Sequence, residues 1–218
     1  MNFSKIVFCD FDGTITEGDS FVKMCQRFAP QSSRQILSAI YDRSLNLKVG
    51  AQQLLNSIES DRYSAIIDST DSLSIRPGLR ELLDFLAEHH IPFIVVSGGL
   101  RGMVEAVLNR EIQGEPLIDK ITAIYATDID LSEKYLRGYS VMESDRELVA
   151  KAKIMSQYLA NQTIAIGDSV TDISMALKAD VVFARDRLIG YLEAEKKPYI
   201  PWNDFFDVRN YLQQIILS

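Results

Sequence analysis

Residues 6–14 read Ile6-Val7-Phe8-Cys9-Asp10-Phe11-Asp12-Gly13-Thr14: a short apolar run, two carboxylates spaced two apart, then a glycine. A chain leaving an extended strand presents residues i and i+2 on one side, so Asp10 and Asp12 point the same way. Like charges at that spacing repel, and a cation beside them relieves the repulsion. A hard divalent ion with oxygen ligands, Mg²⁺ above all, meets that demand. One carboxylate can then attack phosphorus while the other moves a proton. The pattern predicts phosphoryl transfer through an aspartyl-phosphate. It also requires a phosphate anchor, a cationic side chain and a further metal ligand elsewhere in the chain.

The chain has 218 residues, 47% of them hydrophobic, enough for one full core and a smaller attached lobe. A net charge of −7 argues against nucleic acid or an anionic membrane as partner. The two cysteines, Cys9 and Cys25, form neither a disulfide framework nor a metal-ligand spacing. Cys9 reads as a buried thiol, and a reducing, cytoplasmic setting is expected. Met1 to Lys5 carry no secretory signal pattern, and no apolar run reaches the ~18 residues of a membrane span.

Strand-like runs are Ile6–Cys9, Phe93–Val96, Ile121–Tyr125, Thr163–Ile166 and Val181–Ala184. Most are continuously apolar, the pattern of parallel strands covered on both faces. Helical periodicity fills the intervals near 78–90, 100–109, 146–159 and 170–177. The alternation predicts a three-layer α/β/α sandwich with a parallel, Rossmann-like sheet, in which ligands collect at the carboxyl ends of the strands. Between Gly18 and Ser74 only helical periodicity is found, which predicts a small helical lobe inserted after the first strand. Arg76-Pro77-Gly78 marks the return, since proline restricts its predecessor and suits a helix start. The expected division is a core of residues 1–16 and 76–218 with a helical cap of 17–75. Residues 126–142 alternate like a β-hairpin, and Phe205 to Ile215 form a packing helix that Trp202 anchors at its turn. His89 and His90, adjacent at a helix end, diverge around the helix and suit a contact with its C-terminal dipole rather than a shared metal.

Four further pieces carry chemistry. Ser97-Gly98-Gly99 offers a hydroxyl and unhindered backbone N–H groups to a phosphate oxygen. Lys151, near a helix start, can neutralise Asp10 and the phosphate, although by residue type alone it, or its near neighbour Lys153, reads equally as a solvated surface lysine. In Gly167-Asp168-Ser169-Val170-Thr171-Asp172, two carboxylates four apart share one side of a helical first turn. Asp168 would complete a metal site, with a helix N-cap as its alternative reading, and Asp172 would hold a metal-bound water or tether Lys151.

Asp-Phe-Asp-Gly-Thr, then Ser97, then Lys151, then Gly-Asp-Ser-x-x-Asp, in this order over nearly the whole chain, resembles the haloacid dehalogenase superfamily of phosphohydrolases. The resemblance implies a fold of that type, with Asp10 as nucleophile and Asp12 as general acid and base. Ser97, Gly98 and Lys151 hold the phosphoryl group. Mg²⁺ is bound by the Asp10 carboxylate, the Asp12 backbone carbonyl and Asp168. The helical insert is similar to the cap of the phosphoserine phosphatase branch, where Asp19 matches an acidic position facing the substrate. Within that branch Phe28-Ala29-Pro30, Val96-Ser97-Gly98-Gly99 and Phe183-Ala184-Arg185-Asp186 resemble the methionine-salvage phosphatases. That implies a small phosphorylated metabolite with an apolar methylthio tail. Where a serine carboxylate would need a cap arginine, the helix reads Gln53, although Arg34, Arg43 and Arg62 remain as substitutes. A phosphoserine-type hydrolase, a phosphotransferase and a non-catalytic binder stand as alternatives, and the assembly is a monomer or homodimer.

Overall fold

A computed structural model describes residues 2–112 and 114–217. In chain order the elements are β1 (Asn2–Cys9), α1 (Ser20–Phe28), α2 (Pro30–Tyr41), α3 (Leu47–Leu55), α4 (Tyr63–Asp68), α5 (Leu79–Glu88), β2 (Phe93–Leu100) and α6 (Arg101–Leu108). They continue with β3 (Glu111–Ile112), β4 (Glu115–Pro116), β5 (Ala123–Asp130), β6 (Arg137–Tyr139), α7 (Lys151–Met155), β7 (Leu159–Gly167), α8 (Ile173–Lys178), β8 (Val181–Ala184), α9 (Asp186–Ala194), β9 (Ile200–Pro201) and α10 (Phe205–Leu217). Seven strands form one sheet in the order β6-β5-β2-β1-β7-β8-β9, parallel except for the β5–β6 hairpin.

β1 lies between β2 and β7, with Val7 opposite both Phe93 and Ile164. Its apolar run is buried on both faces, and alternate residues feed different cores. Val7 and Cys9 join Phe93, Val95, Ile164 and Ile166 beneath α5, α6 and α10. Ile6 and Phe8 join Ile94, Val96 and Ala165 beneath α7, α8 and α9. Continuous hydrophobicity is what a strand needs when helices cover both sides.

α1 to α4 stack above the carboxyl ends of the strands, with their own apolar cluster. Met24, Leu37, Ile40, Leu54 and Ile66 pack there with Leu100, Met103, Leu148 and Val170 from below. Local chemistry sets the helix ends: the Asp19 side chain accepts from Val22 N at the start of α1, Pro30 opens α2, and Asn46 caps α3. The two ends of this helical segment are joined by backbone bonds. Thr16 bridges Ile75, Glu17 N donates to Ser74 O at 3.0 Å, and Arg76 N donates to Ile15 O at 2.8 Å.

Several expected bounds move. β2 runs on to Leu100, so Ser97-Gly98-Gly99 lies inside the strand instead of after it. The pairing with β5 shifts register between Val96 and Leu100, a break in the ladder of the kind a bulge makes. The expected helix over 146–159 shrinks to Lys151–Met155. Ser144 Oγ accepts from Glu147 N at 3.1 Å, and Ala150 N donates to Met142 O at 2.8 Å, which holds the preceding chain in turns. At its other end, Leu159 already belongs to β7. The strand expected at 121–125 spans Ala123–Asp130, and α9 and β9 were not anticipated. His89 Nδ1 lies 2.8 Å from Phe85 O, a contact with the end of α5. Cys9 and Cys25 are buried and free. Among the described residues no helix is long and apolar enough to cross a membrane.

Candidate active site

The strand ends of β2, β1 and β7 lie side by side, and chain order reverses direction about β1. Such a switch point opens a crevice beyond the carboxyl ends of the strands. Asp10 sits at its floor, 2% exposed. Its backbone N–H donates to Ile166 O at 2.9 Å, extending the β1–β7 ladder by one residue. The carboxylate therefore inherits the rigidity of the sheet.

Lys151, 1% exposed at the start of α7, reaches the same floor. Its ammonium donates to Asp10 Oδ1 and, at 2.7 Å, to Asp172 Oδ1. Both carboxylates hold the lysine charged, pushing its pKa above the ordinary amine value against the cost of burial. Asp172, fully buried, also accepts from Asp168 N at 2.9 Å and Ser169 N at 3.0 Å through Oδ2. Both its oxygens are thus engaged, one tethering the lysine and one shaping the turn after β7.

Asp10, Asp168 and Asp172 each offer an oxygen within 4.8 Å of the others. Asp10 Oδ2 is buried without a hydrogen-bond partner. Burial, aided by the Asp172 charge, pushes Asp10 up to about 7 despite Lys151. Burial and the charges of Asp10 and Asp172 push Asp168 up to about 9. An orphaned buried oxygen amid surplus negative charge is unfavourable for the protein alone, and it suits a hard cation with oxygen ligands. Gly13 adopts φ +79°, and a Cβ there would meet the Asp168 carboxylate, so glycine lets the two loops touch.

The Asp12 side chain turns away from that cluster toward α1. Its Oδ1 accepts from Ser20 N at 3.0 Å, Phe21 N at 3.3 Å and the Ser20 hydroxyl, while Ser97 Oγ approaches Oδ2 at 3.5 Å. Burial and the nearby Asp19 push it up to about 7, so it exchanges protons near neutral pH. Ser97 is fully buried and accepts from Gly99 N at 2.9 Å. A Cβ at Gly98 would meet nothing within 4 Å, which leaves that backbone open to the crevice. Asp19 caps α1 and takes Tyr41 Oη at 3.4 Å, with burial raising it to about 6.

Asp10, Asp12, Asp19, Gly98 and Lys151 border one cavity of about 100 Å³. Its ceiling is apolar, with Phe21, Val22, Leu37, Ile40 and Leu47 contributed by α1, α2 and α3. Among the described residues Lys151 is its single cationic side chain. Arg34, Arg43 and Arg62 do not border it. Four contributors escaped the sequence reading. Ser20 orients Asp12, and Thr14 Oγ1 lies 3.4 Å from Asp168 Oδ1. Glu147, raised by burial, accepts from Ser174 Oγ at 2.9 Å on the cavity wall. Tyr41 is stacked under Arg187 at 3.8 Å.

Comparisons with known proteins identify the family and the fold. The family model of haloacid dehalogenase-like hydrolases matches residues 7–177. The chain is 56% identical over 209 residues to a 2-hydroxy-3-keto-5-methylthiopentenyl-1-phosphate phosphatase of Microcystis aeruginosa, covering 96% of this chain and 98% of the relative. It is 32% identical over 218 residues to a protein of the same name from Bacillus thuringiensis subsp. konkukian, covering 96% of each. A substrate-bound phosphoserine phosphatase superposes with a TM-score of 0.73 at 17% identity, covering 95% of this chain and 98% of that one. A phospho-aspartyl intermediate analogue of phosphoserine phosphatase gives 0.71 at 18% identity, covering 96% and 99%. The likeness to the solved structures establishes the shared fold, and with the family match it follows that this chain belongs to the haloacid dehalogenase-like hydrolases.

Proposed function

We propose that this chain is a phosphoric monoester hydrolase that removes phosphate from 2-hydroxy-3-keto-5-methylthiopentenyl-1-phosphate, with Asp10 as nucleophile and Mg²⁺ as cofactor. The observation that carries the reading is the Asp10 carboxylate, with one oxygen on Lys151 and the other unpartnered beside Asp168. The ceiling supports the substrate: a methylthio tail suits its apolar side chains, and a serine carboxylate finds no guanidinium there. Residues 17–75 act as a cap that shields the crevice from water.

The Asp10 and Asp168 carboxylates and the Asp12 backbone carbonyl hold the cation. When bound, it offsets the charge of carboxylates and phosphate. Lys151 does the same from the other side of Asp10. Asp10 attacks phosphorus, and the bond from phosphorus to the substrate oxygen breaks. Asp12, half-protonated near neutrality, gives that oxygen its proton. As a carboxylate, Asp12 then takes a proton from the water that attacks the aspartyl-phosphate, releasing phosphate and restoring Asp10. Ser97 and the open backbone at Gly98 hold the phosphoryl oxygens meanwhile.

A phosphate-release assay tests the substrate. The enol phosphate is expected to exceed phosphoserine in kcat/KM by about 100-fold, the worth of an unmade charge-assisted pair. Equal or reversed values would remove the methylthio substrate.

Stability should report the cation independently. Asp10 and Asp168 have folded values of about 7 and about 9, above the ordinary carboxylate value of 3.8. Raised acids favour the folded state below that ordinary value, and the advantage is lost as pH rises through 7 to 9. The chelated protein is therefore expected to lose Tm between about pH 5 and pH 9, with Mg²⁺ restoring most of the loss. A Tm insensitive to Mg²⁺ at the alkaline end would argue against these carboxylates as ligands.

A further inference from the structure

Arg76 is 7% exposed and spends nearly every donor on one short stretch of chain. Its Nη2 donates to Gly13 O at 2.6 Å and Thr16 O at 3.3 Å, and its Nε donates to Thr14 O at 2.8 Å. Its backbone N–H donates to Ile15 O at 2.8 Å. One residue thus claims the carbonyls of four consecutive positions, 13 to 16. Phe11 O is occupied from within the loop, by Thr16 N at 3.0 Å and Thr14 N at 3.3 Å. Among the described residues the Asp12 carbonyl alone in this run has no donor.

The guanidinium is itself braced. Trp202 lies 5.4 Å from it on one side and 5.3 Å from the Arg185 guanidinium. Both arginines reach Asn203 O, at 3.3 Å and 2.7 Å. Arg185 N donates to Gly167 O at 3.3 Å, immediately before Asp168. A single tryptophan therefore backs the loop after β1 and the loop after β7. A planar fork of donors is needed to serve several carbonyls at fixed angles; an ammonium on a flexible stem cannot replace it.

We propose that Arg76 is a positioning residue for the cation site: by tying down the carbonyls of residues 13–16 it leaves the Asp12 carbonyl as the one directed to the metal. The inference rests on the reading above that this carbonyl is a ligand. Arg76 does not border the cavity, so it acts on kcat and on metal affinity through the loop.

The test is titration calorimetry of Mg²⁺ into the substrate-free protein, with kcat and KM measured alongside. Arg76→Lys is expected to weaken Mg²⁺ binding at least 10-fold and to lower kcat, leaving KM within about 3-fold. Val208→Ala, a truncation on the buried face of α10, should lower Tm and leave Mg²⁺ affinity unchanged. Should Arg76→Lys fail to fold, Trp202→Phe decides, with an expected loss of about 3-fold in Mg²⁺ affinity from the weakened stack. In Arg76→Ala, millimolar guanidinium ion should recover part of the affinity. Variants that lose Tm yet bind Mg²⁺ as wild type does would overturn the proposal. If wild type binds Mg²⁺ but spares the enol phosphate, the substrate reading fails while the calorimetry still judges Arg76.

Discussion

Asp10→Asn lowers phosphate release by more than about 10⁴-fold while the protein stays folded, because the amide keeps the shape of the carboxylate and loses its nucleophilic charge. The site makes the accompanying stability effect specific. Asp10 is one of the charges that raise Asp168, so its removal relaxes a crowded cluster. Metal-free Asp10→Asn should therefore match or exceed wild type in Tm at alkaline pH. A burst of the dephosphorylated alcohol and a covalent phosphoryl adduct, seen by mass spectrometry after rapid quench, should be present in wild type and missing in the variant. Near-normal Mg²⁺-dependent turnover by Asp10→Asn would remove the nucleophile from Asp10.

Lys151→Met should damage both function and fold. The lysine is buried between two carboxylates, and its loss leaves Asp10 and Asp172 facing each other without a counter-charge. Removing one partner of such a group costs about 3–5 kcal/mol. Asp172 also accepts the amides of Asp168 and Ser169, so the loop after β7 should loosen with it. Loss of a cation that stabilises transferring phosphoryl charge is expected to lower kcat by about 10⁴-fold. Methionine keeps the unbranched apolar stem as far as Cε and lacks only the ammonium, so the defect reads the charge. Lys153→Met is the control, since Lys153 Nζ reaches only Glu143 O on the exposed side. Equal losses in the two variants would strip Lys151 of its role.

The parts of the fold that were legible in the sequence are those where burial on two sides leaves no room for polar residues. β1, β2, β7 and β8 announce themselves through apolar segments, Ile6–Cys9, Phe93–Val96, Ile164–Ile166 and Val181–Ala184. The turn-rich stretch before α7 misled, because Leu148, Val149 and Ala150 are as buried as a helix face would be, and burial is what periodicity detects. β9, two residues long, and α9, which begins at Asp186 with φ +46°, lack the length or the regular start that pattern reading needs. In the site, Asp10, Asp12, Asp168 and Asp172 were legible because charged groups just after strands stand out against the core, whereas Lys151, eight residues before β7 at the start of α7, was picked out only by the order of the family motifs. Ser20 and Arg76 were not. Their work is done on a carboxylate eight residues away and on backbone carbonyls some sixty residues away, and neither leaves a spacing in the sequence.

The paired backbone at the two ends of residues 17–75 has a consequence for how such a chain can diversify. Because Thr16 and Ile75 lie abreast and are stitched to each other, the segment between them leaves and rejoins the sheet through one narrow doorway. A segment of another length or shape could be spliced in at that doorway without pulling the strand ends apart. New specificities could then be grafted from above while the chemistry below stays unaltered.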